Sequence, residues 1–261
     1  MPPLPPPQGI DAQGFVVREG DRARVPAPFL PLVSRYVELV TSAFADVHSV
    51  YLYGSLPRGT ARVGSSDLDG QVVLSRPVTP ADQEVRRQVE TELAAAYPVV
   101  DGVGVLLDDR AVMLDPGNRF DHGFHLRVLC TPVGGPDAGA DVPPHRPDVD
   151  LARGVQGDWR AVLARLREEG PTAGGERAYC RAVGRRLTRL AFTWGMPRWG
   201  GWTSDPVVIT QVVGALEPGW EDPVDEAVGL GWHGVTDVPL AHRLLGAWTD
   251  ELVAAGTELG A

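Results

Sequence analysis

Apolar and polar positions follow two different periods along this chain, and the change of period divides it. Between Pro28 and Ala45, Phe29, Val33, Tyr36, Val37, Val40 and Phe44 recur mostly three or four residues apart, which predicts an amphipathic helix. The runs Val50 to Tyr53 and Leu68 to Leu74 predict two strands, with a Gly-Ser turn after the first. Thr79-Pro80 reads as a helix start, a capping hydroxyl followed by proline at the first helical position, and Val85, Val89, Leu93 and Tyr97 form its buried stripe. "PVVDGVGVLL" predicts a third strand and "GFHLRVLC" a fourth. Ahead of these, "MPPLPPPQG" predicts a polyproline tail, and "GFVVREGDRARVP" a small hairpin turning at Glu19-Gly20-Asp21.

Beyond residues 134–148, rich in Gly, Pro and Asp and read as a linker, the pattern is helical: Asp158 to Glu169, Arg177 to Trp194, Asp205 to Leu216, Pro223 to Leu230 and Leu240 to Ala255. The expected organisation is a tail and hairpin over 1–27, a mixed α/β domain over 28–140 and an all-helical domain over 149–261.

Composition narrows the chemistry. At 261 residues, 43% hydrophobic and 22% charged, the chain is globular and long enough for real cores. Every basic residue is arginine, so a P-loop lysine and a Schiff-base lysine are both excluded. A phosphate must then be gripped by arginine, backbone amides or a metal. The net charge of −10 disfavours nucleic acid as the main partner. No stretch approaches the ~18 apolar residues of a membrane span, and the N-terminus lacks a signal peptide's regions, so a cytoplasmic location without membrane attachment is expected. Cys130 and Cys180 are expected as free buried thiols. His122 and His125 are read as structural, because no further ligand spacing completes a zinc site.

The sharpest signal is "YLYGSLPRGTARVGSSDLDGQVVL", residues 51–74. In a strand, alternate side chains share a face, so Asp67 and Asp69 stand side by side while Leu68, Gly70 and Val72 take the other face. At ~7 Å and an effective dielectric of ~20, two such charges repel by about 2 kcal/mol. A divalent cation offsets that repulsion, and Mg²⁺ suits it best, since it binds one or two carboxylates and keeps positions for triphosphate oxygens. Gly54 permits close backbone approach to a phosphate, the Ser55 hydroxyl and amide can donate to its oxygens, and Arg58 adds a forked cation.

These residues resemble the signature of the DNA polymerase beta-type nucleotidyltransferase superfamily, in its aminoglycoside nucleotidyltransferase-like branch. Gly54, Ser55, Arg58, Gly59, Ser66, Asp67 and Asp69 match; Pro57 replaces the usual alanine and Gly70 the usual apolar residue. The resemblance is carried by residues 50–75 and extends over 28–130.

It implies a short mixed sheet with flanking helices and a helical C-terminal domain. It also implies a third carboxylate roughly thirty residues on. Asp101 occupies that place, as a catalytic and metal-binding residue with Asp67 and Asp69, and Asp108 and Asp109 are its rivals. Nucleotide binding is assigned to Gly54, Ser55, Arg58 and Ser66, joined by Arg181 and Arg185 on a basic helix of the second domain and followed by "GGWTSD".

The implied activity is Mg²⁺-dependent transfer of a nucleoside monophosphate, by default AMP from ATP, to a hydroxyl of a small-molecule acceptor, with release of pyrophosphate; the net charge of −10, with the helical second domain, adds the expectation of a cationic acceptor such as an aminosugar. Rival readings are adenylylation of a protein, as in antitoxin relatives, extension of an RNA end, and a non-catalytic nucleotide-binding module.

Overall fold

The computed structural model describes residues 3–258, which fall into two compact units. One spans Val17–His145; the other joins the segment up to Val16 to the residues from Arg146 onward.

In the first unit, α1 (Leu30–Ala43) leads to β1 (Val47–Tyr53), the one-turn α2 (Ser55–Arg58), β2 (Leu68–Leu74), α3 (Pro80–Ala96), β3 (Val103–Asp109), the one-turn α4 (Arg110–Met113) and β4 (Thr131–Gly134). The strands form a mixed sheet in the order β3-β2-β1-β4. β1 is antiparallel to both β2 and β4, whereas β2 and β3 are parallel because α3 carries the chain back between them.

Alternation gives the sheet two different faces. Val50, Leu52, Leu68, Val72, Leu74, Val105 and Leu107 pack against Leu32, Tyr36 and Val40 of α1 and Val89 and Leu93 of α3. Gly70 belongs to this face because a Cβ there would lie 2.5 Å from the Tyr36 hydroxyl, which donates to the Tyr51 carbonyl. Tyr51 and Val73 look the other way, into a smaller cluster with Met113, Leu126, Cys130 and Ala138.

The start of α3 carries a capping box. The Thr79 hydroxyl accepts from the Asp82 amide, and the Asp82 carboxylate accepts from the Thr79 amide and, twice, from Arg76. Further along α3, Glu90 accepts from the Val105 amide and covers part of the β3 edge.

Two expected elements are replaced. The hairpin is absent: Val16 makes a single bridge with Ile10, and Arg22–Arg24 form a 3-10 turn capped by Asp21. The amides of Glu19 and Asp21 donate to the carbonyls of Val128 and Pro57, so where a hairpin would pair the stretch with itself these two amides bind other parts of the unit.

"GFHLRVLC" is no strand either. Arg119–Gly123 and His125–Leu129 are π-helical turns, and β4 follows them. Phe124, Leu126, Val128 and Cys130 are buried at every second position, as in a strand, and of these Leu126 and Cys130 pack on the sheet's second face. Arg127 ties the second turn down by donating to the Val142 carbonyl.

The second unit contains α5 (Val149–Gly154), α6 (Trp159–Glu169), α7 (Glu176–Trp199), α8 (Pro206–Leu216), α9 (Glu221–Trp232), α10 (Val238–Arg243) and α11 (Thr249–Glu258). The expected stripe Tyr179, Val183, Leu187, Leu190 and Trp194 is buried on α7. The single last helix expected from Leu240 is instead interrupted by a π-helical turn, Leu244–Trp248, which buries Leu244, Leu245 and Trp248. The proline-rich start is anchored to this unit, since the Trp199 indole donates to the Pro5 carbonyl and the Trp202 amide to the Gln8 carbonyl. Among the described residues no helix is long and apolar enough to cross a membrane.

Candidate active site

Gly54 closes β1 with φ of 77° and ψ of −147°, a conformation open essentially only to glycine, and turns the chain into α2. A Cβ there would lie 2.3 Å from Asp69 Oδ2, so the Asp69 carboxylate lies directly against the turn. Ser55 and Arg58 are three apart in α2 and share its face. The Arg58 guanidinium pairs through one nitrogen with Glu19 Oε2 at 3.4 Å. The Ser66 hydroxyl accepts from the Arg62 amide at 2.9 Å, which shapes the loop leading to the carboxylates.

Asp69 is the second residue of β2 and Asp67 immediately precedes the strand; both are half-buried. Tyr53 lies across from Asp69 on one side and Gly104 on the other. A Cβ on Gly104 would meet no atom within 4 Å, and one on Gly102 would lie 3.3 Å from Asp67 Oδ1. Gly104 in β3 and Gly102 just before it therefore leave room beside the two carboxylates.

Asp101 lies just before β3, exposed. Its amide donates to the Ser66 carbonyl at 3.0 Å, while the Leu68 amide donates to the Gly102 carbonyl at 2.9 Å. Asp101 and Gly102 together thus span the place opposite Asp67, as the paired residues of a bulge do.

The rivals are engaged elsewhere. Asp108 accepts from the buried Gln71 side chain at 3.2 Å, and Asp109 caps α4 through the Val112 amide at 2.9 Å. Among the described residues no three His, Cys, Asp or Glu side chains converge closely enough to hold a metal ion, so Asp101 is not gathered with Asp67 and Asp69 into a cage. The Asp67–Asp69 pair, hard oxygen donors two residues apart, still suits a cation that takes its other ligands from phosphate and water.

Arg181 and Arg185 lie on α7, in the second unit. Arg185 Nε donates to the Gly231 carbonyl at 3.1 Å and its guanidinium lies over the Trp232 ring.

Beneath the first unit's site, burial pushes the Tyr51 phenol up to about 12, so it stays protonated and donates to Asp137 Oδ1 at 3.1 Å. Burial also pushes the Cys130 thiol far up; it contacts His125 Nε2 at 3.2 Å, and His125 packs edge-on against Tyr53. Both cysteines are free and buried, as expected. Sequence pattern alone missed Glu19, read as a turn residue, and the open place at Gly104, whose only trace was two glycines in an otherwise apolar strand.

Neither a family model nor the sequence of a curated protein matches the chain. Among solved structures, the fold is similar to that of spectinomycin adenyltransferase AAD(9) from Enterococcus faecialis, determined with ATP and spectinomycin. The TM-score is 0.53 at 12% identity, over 84% of this chain and 99% of that one. With its short mixed sheet, flanking helices and helical C-terminal region, the chain has the nucleotidyltransferase-like fold.

Proposed function

We propose that this protein is a nucleotidyltransferase that moves AMP from ATP to a hydroxyl group of a small cationic molecule and releases pyrophosphate. The observation that carries the reading is the Asp67–Asp69 pair, set against the Gly54 turn within this fold.

Asp67 and Asp69 would hold Mg²⁺, which when bound neutralises triphosphate charge. Gly54 leaves the turn bare, the Ser55 hydroxyl and amide donate to phosphate oxygens, and Arg58 adds positive charge there. Ser66 keeps the loop in shape.

Asp101 serves as the base. The acceptor oxygen forms a bond to the α-phosphorus, the bond from that phosphorus to the bridging oxygen breaks with pyrophosphate leaving, and the hydroxyl proton passes to Asp101. A general base of this kind contributes ~10²- to 10⁴-fold. Asp101 is favoured over Asp108 and Asp109 because its backbone lies beside Asp67 while those two are bonded to Gln71 and to α4.

The acidic balance of the chain and the ATP and spectinomycin in the neighbour's structure support a cationic small-molecule acceptor such as an aminosugar. The test is incubation with labelled ATP, Mg²⁺ and a panel of such acceptors, scored by product mass and pyrophosphate. One AMP added to a panel member is the expected result. Label on protein or RNA with the panel untouched would overturn the choice of acceptor, and no transfer to any of them would overturn the activity.

A further inference from the structure

We infer that Glu19 is a positioning residue for Arg58, an inference that rests on the reading of Arg58 as a triphosphate contact. Residues 19–24 lie outside the turn-and-strand signature, yet they are pressed onto the turn that follows β1. The Asp21 amide donates to the Pro57 carbonyl at 2.8 Å. A Cβ on Gly20 would lie 2.8 Å from Pro57 Cβ and 2.3 Å from Thr131 Oγ1, so only a glycine lets the segment lie this close. On the far side of the turn, a Cβ on Gly59 would lie 3.1 Å from the Arg24 carbonyl oxygen.

This strap brings Glu19 to Arg58. The Glu19 side chain is only 12% exposed, and its own amide is tied to the Val128 carbonyl, so the carboxylate hangs from an anchored backbone. It takes one terminal nitrogen of the Arg58 fork. The guanidinium is planar, and holding one edge orients the rest, which stays partly exposed on the Ser55 face of α2. A long side chain fixed in this way loses less freedom on meeting an anion than one that must be ordered from solution. The arrangement does not cancel the arginine for a ligand, because a triphosphate carries several charges and the pair uses one nitrogen.

The experiment is a double-mutant cycle read by calorimetry with Mg²⁺-ATP and with inorganic triphosphate. Arg58→Ala and Glu19→Ala are each expected to weaken both ligands about tenfold. Glu19→Ala in the Arg58→Ala background should add nothing, and Glu19→Gln should rescue most of the loss. In turnover the loss should fall on KM for ATP with kcat nearly unchanged.

Unchanged binding in Glu19→Ala, or an equal loss in both backgrounds, would overturn the inference while leaving Arg58 as a contact. Unchanged binding in Arg58→Ala would overturn that reading of Arg58 and the inference with it. Thermal melts of each variant separate these outcomes from unfolding, and Glu19→Leu, which fills the place but cannot accept from Arg58, serves where Glu19→Ala fails to fold.

Discussion

Gly54 and Asp69 meet so closely that a single added carbon on Gly54 would sit 2.3 Å from the Asp69 carboxylate oxygen. The turn residue and the acidic residue are fifteen positions apart in the chain and adjacent in the site, because β1 and β2 pair antiparallel with Tyr53 across from Asp69. Under the proposed function, a phosphate at the bare turn would meet the carboxylate that shares its cation. The motif spells out one object in two pieces, and the antiparallel pairing joins them.

Gly54→Ala should therefore fail in two ways. Its positive φ costs about 1–3 kcal/mol for any residue with a Cβ, and that Cβ displaces Asp69. Urea denaturation should show a lower midpoint with an unchanged slope, and Mg²⁺-dependent ATP binding should be lost by calorimetry. A variant of undiminished stability that still binds would show that the contact is soft.

Asp67→Asn and Asp69→Asn should behave in the opposite sense on stability. Each removes one of two like charges held two strand residues apart, a repulsion of about 2 kcal/mol at most for half-buried groups. The melting temperature without metal should stay level or rise while transfer is lost. Mg²⁺ with ATP should raise the melting temperature of the parent protein and leave that of either variant unmoved. A fall in metal-free stability would mean that the pair is structural.

Much of this arrangement was legible because it is written in short-range patterns. Leu68–Leu74 is a strand as expected, the Thr79-Pro80 cap starts α3, and the α7 stripe is buried. The failures share one cause, burial without pairing. Phe124, Leu126, Val128 and Cys130 alternate like strand residues, yet they belong to no strand, and alternation records burial rather than hydrogen bonding. Residues 17–25 failed for the complementary reason: the amides of Glu19 and Asp21 donate to Val128 and Pro57, more than thirty residues away, where no local pattern reaches. Glu19 stayed invisible with them. Gly104 was visible only as an anomaly, since an empty place leaves no residue type of its own.

The cap of α3 gives a pH prediction. The Arg76 guanidinium, with help from Thr79, holds the Asp82 carboxyl well below the usual carboxylate range. A carboxylate whose folded pKa is depressed stabilises the fold fully above its unfolded pKa, about 3.9, and loses that contribution as pH falls through the folded value. Asp82→Asn should thus cost about 1 kcal/mol near neutrality, and the gap from the parent protein should narrow below about pH 4. Denaturation midpoints across this range would check it; a gap that widens with acid would reverse the assignment.

The last prediction concerns the open place itself. A Cβ on Gly104 meets nothing, although Gly104 on β3 pairs directly with Asp69 on β2, and Leu106, two residues along on the same face, is 45% exposed. Glycine inside a strand is a poor choice for stability, by roughly 0.5–1 kcal/mol relative to alanine, so a fold with room for a side chain here forgoes that gain. The forgone stability makes sense if the space belongs to a ligand beside the Asp pair. Gly104→Ala should accordingly be as stable as the parent or slightly more so, with modest loss of turnover, and Gly104→Val should be more stable still and β-branched bulk should block the place. Paired melting curves and calorimetry with Mg²⁺-ATP and acceptor will show stability and binding moving in opposite directions along the series Gly, Ala, Val. If Gly104→Val binds and turns over like the parent, the space beside Asp69 is not where either substrate sits.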